Sequence, residues 1–178
     1  MKKLSLIVLT FLSIFLLSSC AMTDVSHYKN VTPVLDLEKF FIGTTDAWGM
    51  FQQRDGTVEK RFKVVIEGKH VGSQLVLDER FKYDDGSTQQ RIWRLNKQAD
   101  GSWRGLADDV KGEALGKTAG NALNWHYTLL LPVNGTVYEM KMDDWMYLLD
   151  EDTMINRTSM SKFGVELGQV SLFFRRRP

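Results

Sequence analysis

Apolar and polar residues alternate along most of the chain from Thr45 to Arg176, in runs rich in Val, Phe, Trp, Tyr and Leu. A period of two places one row of side chains in a core and the next in water, which is the pattern of half-buried strands. Turn-forming residues interrupt the runs at Asp55-Gly56, Asp84-Asp85-Gly86, Ala99-Asp100-Gly101, Asn134-Gly135 and Asp150 to Asp152. They divide the segment into nine or ten strands and leave no room for long crossover helices. Before them, Asp36 is placed to cap one helical turn, with Leu37, Phe40 and Phe41 packing inward.

The turns predict registers. With Asn134-Gly135 as a two-residue hairpin loop, Leu131 faces Tyr138, Leu129 faces Met140, Tyr127 faces Met142, Trp125 faces Asp144 and Leu123 faces Met146. A slip of one residue would put His126, Thr128, Glu139 and Lys141 on that face instead. With Asp84-Asp85-Gly86 as a three-residue loop and Gly86 left-handed, Leu75 faces Leu95, Leu77 faces Trp93, Glu79 faces Arg91 and Phe81 faces Gln89. The same rule at Arg54-Asp55-Gly56 pairs Trp48 with Phe62 and Asp46 with Val64. Strands adjacent in sequence tend to be adjacent in the sheet. The expected fold is therefore all-β: an antiparallel up-and-down meander closing into a lipocalin-like, calycin-type barrel of about 9–10 strands, with a short N-terminal helical turn. In residues 108–122, Gly112, Gly116 and Gly120 recur every fourth position. They point to a kinked strand or a short helix with close backbone contacts.

The first residues follow another pattern. Lys2 and Lys3 precede an apolar run from Leu4 to Leu17, and Leu17-Ser18-Ser19-Cys20 follows. A basic start, a short apolar stretch and small residues before a cut describe a secretory signal, and the run is too short to span a bilayer comfortably. Ending at the chain's single cysteine, the stretch resembles a bacterial lipobox. That resemblance implies cleavage before Cys20, a diacylglycerol on its sulfur and a third acyl chain on its amino group. Ala21 rather than Asp after Cys20 implies sorting to the outer membrane, facing the periplasm. The expected divisions are a signal peptide at 1–19, a lipid-anchored tether at 20–35 and one β-barrel domain at 36–178.

Loss of the signal leaves enough chain for one cored domain. It also moves the formal charge from +1 to −1, because Lys2 and Lys3 leave. No strong field remains to attract nucleic acid. With its sole thiol acylated, the domain has no disulfide, and packing must hold it.

Several stretches resemble a family of uncharacterised bacterial lipoproteins, known as a domain of unknown function. They are Asp78 to Tyr83, Arg91-Ile92-Trp93, Ala107 to Gly112, Gly120-Asn121-Ala122, Asp143 to Leu148, Asn156-Arg157 and Lys162-Phe163-Gly164. The likeness spans most of residues 36–174, and Asp143-Asp144-Trp145-Met146-Tyr147 is its most specific part. The family carries no established activity. Its genes often accompany fatty-acid-modifying enzymes, which implies lipid biology. The meander is also similar to lipocalin and fatty-acid-binding barrels, but the tight Gly-x-Trp spacing of lipocalins is missing, so this analogy concerns the fold.

Three constellations carry chemistry. Glu79 and Arg91 are expected opposite each other on an apolar face, either to fix a ligand head group or as a salt bridge plugging the barrel floor. Asp144 is expected beside the Trp125 indole N–H, as its hydrogen-bond acceptor or as a pocket carboxyl with a raised pKa. Met140, Met142, Met146 and Met160 form a flexible apolar set that suits variable acyl chains or simply fills a core. Asp108-Asp109 and Asp143-Asp144 match no calcium loop and read as turn formers. His27, His70 and His126 match no zinc spacing, and His126 should point outward. Neither a hydrolase elbow nor a phosphate loop is present. No catalytic residue, metal or cofactor is assigned.

The leading reading is an outer-membrane lipoprotein that binds a lipid or fatty acid in its barrel, for transport, storage or delivery. The expected ligand-binding residues are Glu79, Arg91, Trp93, Trp125, Tyr127, Met140, Met142 and Asp144, with Trp48, Phe62 and Leu77 completing the lining. Its partners would be the membrane, through Cys20, and the lipid ligand. The alternatives are a solid structural module docking on an envelope protein and a lipid-modifying enzyme.

Overall fold

The computed structural model describes residues 23–178, so the apolar run and Cys20 lie outside the described residues. Ten strands follow one another: β1 (Gly43–Gln53), β2 (Val58–Val71), β3 (Gln74–Tyr83), β4 (Thr88–Lys97), β5 (Trp103–Leu106), β6 (Ala114–Ala119), β7 (Ala122–Val133), β8 (Thr136–Leu148), β9 (Thr153–Lys162) and β10 (Val165–Arg176). Each pairs antiparallel with its neighbours in sequence, and β10 returns to pair with β1, closing the barrel. The expected meander is the observed fold.

The two registers that set the inner wall are as expected. Leu129 faces Met140 and Trp125 faces Asp144 across β7 and β8. Leu77 faces Trp93 and Glu79 faces Arg91 across β3 and β4, with Gly86 left-handed at φ 85°. The first hairpin differs. A bulge between Phe51 and Gln52 moves the pairing by one residue, so Trp48 faces Lys63 and Gly49 faces Phe62. Trp48 is 41% exposed on the outside and lines nothing. The reason is steric. A Cβ at Gly49 would lie 2.7 Å from the Phe62 ring, so this inward position has to be glycine.

One end of the barrel is plugged. Helix α1 (Leu37–Phe41) starts at Asp36, whose Oδ1 accepts the N–H groups of Glu38 at 3.0 Å and Lys39 at 3.1 Å. Leu37, Phe40 and Phe41 are buried there, with Phe41 edge-on to Phe174 at 6.1 Å. Before α1, the stretch read as a tether rests on the barrel from Val25 onward. Val25 and Leu35 are buried, Tyr28 of the 3₁₀ turn Val25–Tyr28 packs on Trp145 and Tyr147, and the Leu35 N–H donates to the Gly120 carbonyl. Val25 stands alone in a polar stretch and Leu35 lies in the short run Val34-Leu35 after Pro33, so neither belongs to a periodic pattern that would reveal it.

The recurring glycines serve two ends. Gly112 and Gly120 are left-handed, whereas Gly116 lies within β6. A Cβ at Gly116 would run into the face of the Trp125 indole, which lies flat across β5 and β6. Gly116→Ala should therefore cost about 1–3 kcal/mol through overpacking, while Leu115→Ala, one residue away and half exposed outside, should stay within about 0.5 kcal/mol of the parent. Urea unfolding of the two variants measures the contrast.

Candidate functional site

Alternation sends every second side chain inward, but the interior is not uniform. Towards the plugged end the inward residues are fully buried, as at Leu75, Ala114 and Met154. Towards the opposite end, where the turns at Asp55-Gly56, Asp84 to Gly86 and Asn134-Gly135 lie, Phe62, Phe81, Tyr127, Leu129 and Leu131 are only partly buried. Met140, Met142 and Met160 form a separate apolar cluster there with Phe51, Leu129 and Leu131.

Arg91 sits in the wall between these halves. Strand β5 pairs only with Arg94–Lys97 of β4, so the stretch of β4 around Arg91 has no strand neighbour on that side. The loop at residues 107–113 covers it, tied to β7 by Lys111 N–H to Thr128 C=O and Leu130 N–H to Asp109 C=O. This brings Asp109 to Arg91. The guanidinium Nε donates to Asp109 Oδ2 at 2.9 Å and Nη2 donates to the same oxygen at 2.7 Å, with Oδ1 3.0 Å from Nε. Glu79 was expected to be the holder, yet its Oε2 lies 3.9 Å from Arg91 Nη1. A two-bond fork outweighs one long contact, so Asp109 is the principal partner. Asp109 was read as a turn former. The signal that identifies it is the continuation of period two past the strand, through the inward series Trp103, Gly105, Ala107 and Asp109.

The electrostatics follow from burial. Burial pushes the Glu79 carboxyl up to about 7, against the pull of Arg91 and with help from Asp109 and Asp78. Burial opposes the Arg91 charge, but Tyr127, Asp109 and Glu79 hold the guanidinium above its ordinary value. Burial also raises the Tyr127 hydroxyl, with Asp144 adding to the rise. Arg91 further stacks near Phe81 at 5.7 Å and Trp93 at 6.0 Å.

Asp144 faces inward at 6% exposure, but the expected bond to Trp125 is replaced. Asn156 Nδ2 on β9 donates to Asp144 Oδ1, and the Thr158 hydroxyl donates to Asn156 Oδ1 at 3.2 Å. A neighbouring strand supplies closer partners than the indole across the hairpin. Burial raises Asp144 to about 7, and the polar groups of Thr158 and Asn156 beside it only partly offset this. Trp93, Trp125, Met140 and Met142 are all buried inside the barrel, and Trp93 packs edge-on against Trp125 and Tyr127 at 5.7 and 5.5 Å. The more accessible of the expected ligand-binding residues are thus Glu79, Arg91 and Tyr127, joined by Asp109.

The remaining candidates lie outside. Arg157 donates to Gln169 on the surface, whereas its neighbour Asn156 faces in. His126 points outward with Nδ1 3.3 Å from Asp143. The aspartate pairs separate: Asp108 is solvent-exposed, Asp109 holds Arg91, Asp143 bonds Asn124 and Asp144 is internal. Two hollows stand out among the described residues. One of about 140 Å³ lies beside Arg91 and Asp109, and one of about 260 Å³ lies on the outer wall around Leu115, His126 and Lys141. Both are smaller than the roughly 300–1,000 Å³ of pockets for drug-sized ligands.

Residues 14–176 match the family model for a protein of unknown function, DUF3833. The chain belongs to the DUF3833 family. No curated protein matches it. Among solved structures, a DUF3598-family protein of unknown function from Nostoc punctiforme is similar, with a TM-score of 0.58 at 13% identity over 88% of this chain. The chain spans about half (53%) of that protein. An S-type phycobiliprotein lyase, CpeS, from Guillardia theta also has a TM-score of 0.58, at 7% identity, covering 88% of this chain and 99% of the lyase. At these identities the likeness shows a shared barrel fold for this DUF3833 member.

Two raised carboxyls have a consequence for stability. Between the unfolded pKa near 4 and the folded value of about 7, the native state holds protons that the unfolded chain releases. Stability from these groups is full below about pH 4 and is lost as pH rises through 7. Asp46 and Glu166 have lowered values and act oppositely, losing stability only as pH falls through their own range. Unfolding free energy should therefore decline from pH 5 to pH 8, and Asp144→Asn should flatten the decline. In the same assay at pH 7, Asp109→Asn should cost about 2 kcal/mol by leaving Arg91 under-paired, while Glu79→Gln, which leaves no carboxylate to bury, should be neutral or stabilising and should also flatten the decline with pH.

Proposed function

We propose that this chain is an outer-membrane lipoprotein, acylated at Cys20, that binds a lipid or fatty acid at the open end of its barrel. The reading is carried by the contrast within one interior: sealed apolar packing at the plugged end, and half-buried Phe62, Phe81, Tyr127, Leu129 and Leu131 at the other. A soluble domain leaves that much converging apolar surface uncovered where something apolar is to cover it. The methionine cluster is the adaptable part, because unbranched thioether side chains repack at small cost to admit an acyl chain. Arg91, Glu79 and Tyr127 would meet the polar head. Since Asp109 already occupies the Arg91 fork, a fatty-acid carboxylate must displace it, whereas a head group with hydroxyls or an amine binds around the intact pair. The second reading, a solid module docking on an envelope protein, is favoured by the small size of both hollows.

Native mass spectrometry of protein purified from its own membrane separates the two. A bound acyl species is expected in the parent and in Val137→Asp, which changes an exposed outer residue, and should be lost in Leu131→Asp at the mouth. A parent that carries no lipid under these conditions supports the solid module instead.

A further inference from the structure

The outer wall carries a band of apolar side chains that the fold does not use. Trp48 on β1 pairs with Phe173 on β10, Phe173 pairs with Ile155 on β9, and Ile155 pairs with Tyr147 on β8. Cross-strand partners point to the same face, so the four form one row across four adjacent strands. Trp48, Phe173 and Ile155 are 41%, 40% and 42% exposed. Outer positions of a barrel ordinarily carry polar residues, and this one places Trp, Phe, Ile and Tyr side by side.

The row is continuous with the start of the described chain. Tyr28 packs on Tyr147 with ring centroids 5.3 Å apart, and Trp145 stacks on Tyr147 at 6.0 Å and 11°. Cys20 lies eight residues before Tyr28. At roughly 3.3–3.6 Å per residue, the acylated position is within about 30 Å of the row. Two arginines flank the row, with Glu166 within electrostatic reach of Arg157 and Asp150 within reach of Arg175. Arg157 stands one row towards the mouth and Arg175 one row towards the plugged end, both exposed, while Asp46 is neutralised by Arg177 at 2.6 Å.

We propose that this aromatic row is a membrane-contact face: the β8–β9–β10–β1 wall rests on the bilayer that holds the chain, with the aromatic rings at the head-group level and Arg157 and Arg175 on lipid phosphates. Trp and Tyr favour that boundary because one side of each is apolar and the other polar. Arginine side chains beside them lay their stems on the apolar layer and keep their heads in water. The proposal rests on acylation of Cys20, and the sequence allows the two to be tested separately because Cys20 is the only cysteine.

The experiment uses the full chain, produced in a bacterium and reconstituted in vesicles of phosphatidylethanolamine and phosphatidylglycerol. Ile155→Cys on the row and Gln90→Cys on the opposite wall each receive a thiol-specific nitroxide. The expected result is no labelling of the parent, an Ile155→Cys label open to oxygen but shielded from an aqueous nickel complex, and a Gln90→Cys label open to nickel. Equal nickel access at both positions overturns the proposal. So does shielding of the Ile155→Cys label from oxygen and nickel alike, which means a protein or a second copy covers the row. Labelling of the parent shows Cys20 unacylated and removes the anchor on which the argument stands.

Discussion

The return of β10 to β1 is the constraint on which the rest of this structure depends. Residues Thr45–Gln53 pair with Gly168–Arg176, joining segments at opposite ends of the domain sequence. Closure leaves no sheet edge to satisfy. It also converts strict alternation into two separate surfaces, one enclosed and one facing out. Every functional statement about this chain then becomes a statement about parity along a strand. Trp48 shows how sharp that is: one bulged residue at Phe51/Gln52 moves it from the inner surface to the outer row.

Inside, the barrel carries more acid than base. Glu79 and Asp109 share one guanidinium, Arg91, of which Asp109 takes most, and Asp144 adds a third carboxyl within reach of Glu79. A low-dielectric interior does not hold uncompensated carboxylates, so the surplus is relieved by protons, as the raised values at Glu79 and Asp144 express. Protonated carboxyls are hydrogen-bond donors as well as acceptors. The interior is therefore suited to a polar but uncharged or amine-bearing group, and poorly suited to another free carboxylate. This narrows the lipid reading by head group and leaves the tail open.

How much of this was legible follows from which physical rule governs each part. Local turn chemistry and period two sufficed for the β3–β4 and β7–β8 hairpins, so Glu79 opposite Arg91 and Trp125 opposite Asp144 could be read directly. Side-chain partners were less legible because they come from elements distant in sequence. Asp109 reaches Arg91 from a loop that replaces a missing strand neighbour, and Asn156 reaches Asp144 from β9 with Thr158 bonded behind it. The first hairpin was misread because its register depends on Gly49 yielding space to Phe62, a contact no turn rule encodes. The apolar outer row was invisible for a related reason. Its members lie in four strands and become neighbours only through pairing, two of them by way of the closing strand.

The plug and the chain's approach to the barrel complete the spatial argument. Helix α1 seals one end, and Gly68 lets it do so, since a Cβ there would strike the Phe41 carbonyl. The 3₁₀ turn before it rests on β6 and β7, close to the same end, where the Gly120 backbone touches Tyr28 and Val31. Anything entering the barrel must therefore come from the end far from where the chain arrives. A chain tethered end-on by its N-terminus would point that mouth straight away from its membrane. Contact along the outer row would instead lay the barrel on its side, bringing the mouth near the lipid surface. An acyl chain leaving the bilayer would then have only the width of the rim to cross, and the wall with the flexible methionines of β8 and β9 is the one lying nearest.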